Sequence, residues 1–233
     1  MAYTDRYVRN RELISESEQA VLGEKTVAVV GLGGLGGYIA EQLARLGFGR
    51  LILIDGDKVE ESNLNRQLFA VERTLGMFKA AAALERLTEV NREVAYSVHS
   101  EFLTAENGKA LLSGADIVMD ALDTIPARFM LQRICEDIGI PLVHGAIGGW
   151  WGQVCVVFPG DRTISQIYPT EDATGAESEY GNPACTPGIV ASVQTAEALK
   201  ICLGRPGVLR GKLLRIDLLD HGYHVIQLGV VKT

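Results

Sequence analysis

Thr26-Val-Ala-Val-Val-Gly-Leu-Gly-Gly-Leu-Gly-Gly37 begins as a run of small, mostly β-branched residues, stops at glycines, and passes into Tyr38-Ile-Ala-Glu-Gln-Leu-Ala-Arg-Leu46. The first part has the continuous apolar character of a strand buried on both faces. The last part places Ile39, Leu43 and Leu46 on one helical stripe. Between them Gly31, Gly33 and Gly36 have the spacing of a dinucleotide-type turn, in which missing side chains let backbone N–H groups approach a phosphate at the positive end of the helix. A nucleotide phosphate is therefore the expected ligand, although glycines also serve tight strand-to-helix packing. The expected fold is α/β: a Rossmann-like, doubly wound, mostly parallel sheet with helices on both faces and antiparallel strands at the C-terminal end.

Working outward, Gly47 supplies a helix stop, and Arg50-Leu-Ile-Leu-Ile-Asp55 reads as a second buried strand ending in a carboxylate. Asp55 stands where a βαβ nucleotide fold puts the acid that binds ribose hydroxyls, and a plain turn aspartate beside Gly56-Asp57 is the other reading. The polar stretch Val59-Glu-Glu-Ser-Asn-Leu-Asn-Arg-Gln-Leu-Phe69 then offers Asn63, Asn65, Arg66 and Gln67. Enzymes that cleave triphosphates need such fixed donors, because charge building on the phosphates must be neutralised. Lys79 opens the helix that follows. A lysine there opposes the helix dipole, so phosphate contact and a plain surface position both remain open.

Farther along, Ala115-Asp-Ile-Val-Met-Asp120 is a buried strand that runs into Ala121-Leu-Asp123. Ligands of an open parallel sheet collect beyond the carboxyl ends of its strands, so Asp120 and Asp123 are both expected to face the crevice. Magnesium held by one carboxylate and by triphosphate oxygens suits that position, while Asp123 and Thr124 also suit the start of the next helix, Ile125 to Ile138. His144 reads as a satisfied interior histidine and Trp150 and Trp151 as packing residues. From Pro159 to Pro187 apolar periodicity disappears, as in a working loop. It places Cys185 just before a helix from Ile189 to Leu203, with Ile189, Val193, Ala196 and Leu199 as its core stripe. A cysteine near a helix N-terminus can gain thiolate character. Before the first strand, the arginines at 6, 9 and 11 read from spacing alone as a solvated surface, and Ser15-Glu-Ser-Glu18 has capping-box spacing.

The chain of 233 residues carries a formal charge of −7, the wrong sign for a surface built to grip a nucleic-acid backbone. Its four cysteines form no C-x-x-C pair. No apolar run is long enough to span a bilayer, and the first ten residues carry charges where a signal peptide needs an apolar core. A cytoplasmic protein of one domain over 1–233 is expected, with a helical arm over 1–25.

Arg6-Tyr-Val-Arg9, Val30-Gly-Leu-Gly-Gly-Leu-Gly36, Asp55-Gly-Asp57, Ser62-Asn-Leu-Asn-Arg-Gln67, Gly76-Met-Phe-Lys79 and Asp120-Ala-Leu-Asp123, in this order, resemble the ThiF/MoeB/HesA family of ubiquitin-activating-type enzymes. The resemblance covers nearly the whole chain. It implies MgATP-dependent adenylation of the C-terminal Gly-Gly carboxylate of a small ubiquitin-like sulfur-carrier protein, with release of pyrophosphate. Position by position, Gly33 and Gly34 would lie against ATP, Asp55 would hold the ribose, Asn63, Arg66 and Lys79 would contact phosphates, and Asp123 would bind magnesium. Gly31, Gly36, Asp57 and Gln67 belong to the same nucleotide-binding set. Arg9 would reach the triphosphate of the other subunit of a homodimer, reversing the reading from spacing, and residues 159–187 would be the crossover loop that guides the carrier's tail. Cys185 matches the position where some members form a covalent link to the activated carrier.

Two departures are visible. Many members hold zinc with two C-x-x-C pairs; here the first place reads Thr163-Ile-Ser-Gln-Ile167 and the chain closes with Gly229-Val-Val-Lys-Thr233, so zinc is not expected. Thr124 stands where many relatives have asparagine. Two competing readings share part of the pattern. An NAD-dependent oxidoreductase would use the glycine turn and Asp55 but not Arg66, Lys79 and Asp123; a tRNA-modifying relative adenylating a nucleoside carboxylate would share the ATP site, with the −7 charge counting against it.

Overall fold

The structure, a computed structural model, describes residues 5–172 and 180–229. Eight strands form one sheet: β1 (Thr26–Val30), β2 (Arg50–Ile54), β3 (Ala95–His99), β4 (Ile117–Asp120), β5 (Leu142–Gly148), β6 (Trp151–Val157), β7 (Lys212–Asp217) and β8 (Gly222–Gln227). Their spatial order is β3-β2-β1-β4-β5-β6-β7-β8. The first five run parallel, and β6, β7 and β8 each pair antiparallel with the preceding strand. The expected mixed, mostly parallel sheet is thus observed. The strand order reverses between β1 and β4, which opens a crevice at the carboxyl ends of those two strands.

Alternation along the central strands sorts the core into two layers. Val27 and Val29 of β1 and Leu51 and Leu53 of β2 pack with α2 (Gly34–Leu46), α3 (Lys79–Val90) and α7 (Cys185–Cys202). Ala28, Val30, Ile52 and Ile54 face the other way, toward α5 (Ile125–Ile138) and α6 (Thr163–Ile167). Both faces of each strand are covered, so a continuous apolar run is what the position demands. The short α1 (Glu16–Leu22) carries the full capping box read from Ser15 and Glu18, and α4 (Gly108–Leu111) follows β3.

Three local expectations need correction. The stretch 159–187 is not wholly without regular structure: α6 occupies Thr163–Ile167, and α7 begins at Cys185 itself rather than at residue 189. Residues 173–179 of that stretch, like 1–4 and the chain end from 230, lie outside the described residues. The buried face of α7 is also rotated from the apolar stripe: Val190, Ala191, Gln194, Thr195, Glu197 and Ala198 are buried, while Ala196 is exposed. The reason is chemical. Gln194 Nε2 donates to the carbonyls of Asp120 at 2.8 Å and Val143 at 3.2 Å, and Glu197 accepts from the Leu209 amide at 2.8 Å, so polar residues sit where counting apolar ones does not look.

Candidate nucleotide site

The glycines of the first turn divide by what surrounds them. Gly31 has φ of 91°, and a Cβ there would lie 2.6 Å from the Ala121 carbonyl oxygen; at Gly36 it would lie 1.8 Å from the Gly31 oxygen. Those two glycines are required by the chain's own close approach. At Gly33 and Gly34 the nearest atoms to a Cβ, on Gln67 and Pro187, would be 3.6 and 3.5 Å away, ordinary contact distances. Their bareness instead leaves room for a ligand, and Gly33, the cap position of α2, gives the first turn no side-chain acceptor. The first amides of a helix have no partner within it, so a bare start that lines a cavity suits an anion.

A cavity of about 610 Å³ opens there, at the crossover between β1 and β4. Of the residues singled out in the sequence, it is lined by Gly31, Gly33, Gly34, Asp55, Asp57, Asn63, Arg66, Gln67, Lys79 and Asp123. Gly36 is not in the lining; its place is the packing contact just described. Arg9 and Cys185 are also outside it, and both are exposed.

Asp55 is mostly buried at the end of β2, and its two oxygens accept from the amides of Leu32 at 2.6 Å and Asp57 at 2.8 Å. Burial holds its carboxyl above the usual range even so, the two amides pulling the other way. Lys79, the first residue of α3, is buried and donates to Asp57 at 2.8 Å. Arg66 donates to the Ser62 carbonyl and to Asn65, both at 2.9 Å, which holds the guanidinium beside Gly34. Asn63 is buried and accepts from the Glu60 amide at 3.1 Å. Asp123 is exposed and makes no hydrogen bond or ion pair with the described residues; the cap position of α5 belongs to Thr124, whose side chain does not bond the helix. No group of three or more His, Cys, Asp or Glu side chains gathers among the described residues to hold a metal. A lone carboxylate fits only a cation shared with ligand oxygens, which is how magnesium binds beside phosphates.

Asp120 contradicts its expected place. It is fully buried, accepts from the Leu122 amide at 3.0 Å and from His144 Nδ1 at 2.7 Å, and does not reach the cavity. Strand alternation puts it under the turn rather than in the crevice. His144 is the satisfied interior histidine expected; burial lowers its pKa, so the ring is neutral.

The apolar part of the lining was not legible as a site. Val30, Ile54 and Leu103, with Leu122 against them, belong to the core layer on the α5 side, and Phe102 lies on the rim, 64% exposed. A Cβ on Gly56 would meet the Phe102 ring at 2.7 Å. The available signal was an aromatic residue in a polar loop just after a parallel strand. The lining therefore combines apolar and aromatic side chains with Arg66 and Lys79, the two chemistries suited to a base and to a phosphate chain.

Three of the four cysteines are chemically quiet. Burial pushes the thiols of Cys135 and Cys202 up to about 12 and that of Cys155 higher still. Cys185 is the exposed one.

A doubly wound sheet whose crossover crevice holds a bare helix start, a buried carboxylate and paired cationic donors defines a nucleotide-binding α/β protein. Within that class the chain belongs to the ThiF family, whose model matches residues 7–231. It is 33% identical over 227 residues to the SAMP-activating enzyme E1 of Haloferax volcanii, covering 95% of this chain and 84% of that protein. It is 36% identical over 203 residues to the adenylyltransferase and sulfurtransferase MOCS3 of Drosophila yakuba, covering 85% of this chain but only 45% of the relative. Among solved structures, E. coli MccB superimposes with a TM-score of 0.84 over 100% of this chain and 73% of its own, at 21% identity, a likeness of fold. No helix among the described residues is long and apolar enough to cross a membrane.

Proposed function

We propose that this chain is a cytoplasmic enzyme that adenylylates the C-terminal Gly-Gly carboxylate of a small ubiquitin-like carrier protein with ATP, releasing pyrophosphate and preparing the carrier to receive sulfur. The observation that carries the reading is the meeting of Arg66, Lys79 and Asn63 with the uncapped start of α2 in one cavity, in a chain of the ThiF family. A dinucleotide-dependent oxidoreductase has no use for that cationic wall.

In the reaction a carrier carboxylate oxygen bonds to the α-phosphorus while the bond to the bridging oxygen breaks and its electron pair leaves with pyrophosphate. The attacking carboxylate is already ionised, so no general base is required; catalysis is positioning and neutralisation of charge. Gly33 and Gly34 admit the phosphates to the helix start, and Gly31 and Gly36 keep the turn closed beneath them. Asp55 accepts from ribose hydroxyls, each of its oxygens keeping a second lone pair beside its amide. Asn63, Arg66, Gln67 and Lys79 carry the phosphate charge, with Asp57 as the partner of Lys79. Asp123 would hold magnesium, which supplies further charge neutralisation when bound.

Arg9, exposed and outside the lining of its own cavity, serves the cavity of a second subunit in a homodimer. Cys185 takes the carrier's acyl group in a later step: its thiolate attacks the acyl carbon and AMP departs. The segment 159–187 is the crossover loop over the carrier's tail, and 1–233 acts as one adenylation domain with an N-terminal arm.

The test is ATP–pyrophosphate exchange with a carrier ending in Gly-Gly. Exchange should require the carrier and magnesium and disappear when the terminal glycine is removed; full exchange without carrier would overturn the reading. Mixing inactive Arg9→Ala and Asp123→Ala subunits should restore part of the activity, since one site of the mixed dimer receives both intact residues.

A further inference from the structure

Beneath the turn that bears Asp123 lies a chain of polar side chains that the proposed reaction does not use. Asp120 and His144 have no exposed side-chain surface, and Arg128 is 2% exposed. The neutral His144 donates through Nδ1 to Asp120 at 2.7 Å, and its Nε2 accepts from the Tyr168 hydroxyl at 3.2 Å. That hydroxyl accepts in turn from Arg128 at 3.0 Å and Gln153 at 2.9 Å. Burial pushes the Tyr168 phenol up to about 12, so it keeps the proton it donates.

Both ends of this chain grip backbone beside the cavity. Asp120 accepts from the Leu122 amide, and Arg128 donates twice to the Leu122 carbonyl, at 2.8 and 3.2 Å. The peptide groups on either side of Leu122 are thus held from below, and Asp123 is the next residue. Between those ends stands Tyr168, the residue that closes α6, at the head of the segment leading to Cys185. Burying an aspartate, a histidine and an arginine is costly compared with apolar residues of the same volume, so stability alone gives little reason for the arrangement. A fully satisfied polar network instead fixes one geometry.

We propose that Tyr168 and His144 are positioning residues, which through Asp120 and Arg128 hold the Leu122–Asp123 turn in register with the end of α6 and so set how Asp123 meets the metal-bound triphosphate. The proposal rests on the reading of Asp123 given under Proposed function.

The test is a double-mutant cycle read by calorimetric binding of ATP, with magnesium and separately with EDTA. Tyr168→Phe removes one hydroxyl and should weaken MgATP roughly fivefold, the size of one neutral hydrogen bond, while leaving metal-free ATP unchanged. In an Asp123→Asn background the same substitution should have no effect, because the residue acts through Asp123. His144→Gln provides a second route to the same cycle should Tyr168→Phe not fold. Equal weakening with and without magnesium, or full additivity with Asp123→Asn, would overturn the proposal and show a merely structural network. Wild-type protein that binds no MgATP would overturn the nucleotide reading itself, and this proposal with it.

Discussion

Strands β1 to β5 all end along one edge of the sheet, whereas β6 to β8 turn back and forth across it. Nearly every residue of the cavity follows the carboxyl end of a parallel strand: Gly31 after β1, Asp55 after β2, Phe102 after β3 and Asp123 after β4. Strands β6, β7 and β8 contribute none, and among the described residues the only one beyond β5 in the lining is Asn182, just ahead of α7. Parallel direction repeats the same kind of end at the same edge, so binding groups accumulate there. An antiparallel meander sends alternate ends away and leaves an edge such as β8, where Tyr223, Val225 and Ile226 are all exposed. The two halves therefore call for different perturbations.

The largest effect should come from the parallel half. Removing one fixed donor that meets developing charge costs roughly 100-fold or more in turnover, so Lys79→Ala and Arg66→Ala should each lower carrier-dependent pyrophosphate exchange at least that far while leaving the thermal midpoint nearly unchanged. Exchange within tenfold of wild type in both variants would remove the distinction between the halves.

Within the glycine turn the contrast sharpens. Gly36→Ala should cost about 3 kcal/mol or more, because backbone must move, whereas Gly34→Ala should fold normally and lose ATP affinity. Denaturant midpoints and nucleotide titrations separate the two outcomes.

The smallest effect belongs to the start of α7, between β6 and β7 in the chain. Cys185→Ser should leave exchange within about twofold, since formation of the adenylate needs no thiol. Iodoacetamide should modify native protein at Cys185 alone, the other three cysteines reacting only after denaturation, as peptide mass spectrometry can show.

How much of this was legible follows the same division. The turn at 31–36, the acid at 55 and the helix beginning at 79 could be read because close backbone approach selects glycine at 31 and 36, a strand that ends at a carboxylate marks 55, and apolar residues at helical spacing follow Lys79. Asp120 could not be placed, since one residue of shift along a strand exchanges interior for crevice. The face of α7 was misjudged because Gln194 and Glu197 are buried for hydrogen bonds that no count of apolar residues registers. Phe102 was overlooked for a related reason: an aromatic side chain at a polar rim has no periodic signature.

The pairing of Lys79 with Asp57 bears on how the cavity would empty as well as fill. The ammonium is almost enclosed, with 11% of its side-chain surface exposed, and already has an anion at 2.8 Å. An incoming phosphate must share or replace that resident carboxylate, so the free energy of capture is the difference between two ion pairs rather than the whole of one. In the proposed reaction the lysine would then not be left as a bare charge in a low-dielectric pocket when pyrophosphate departs. Asp57 would act as a returning counter-ion, lowering the barrier to product escape and keeping an anion-hungry cavity from becoming a trap for its own product.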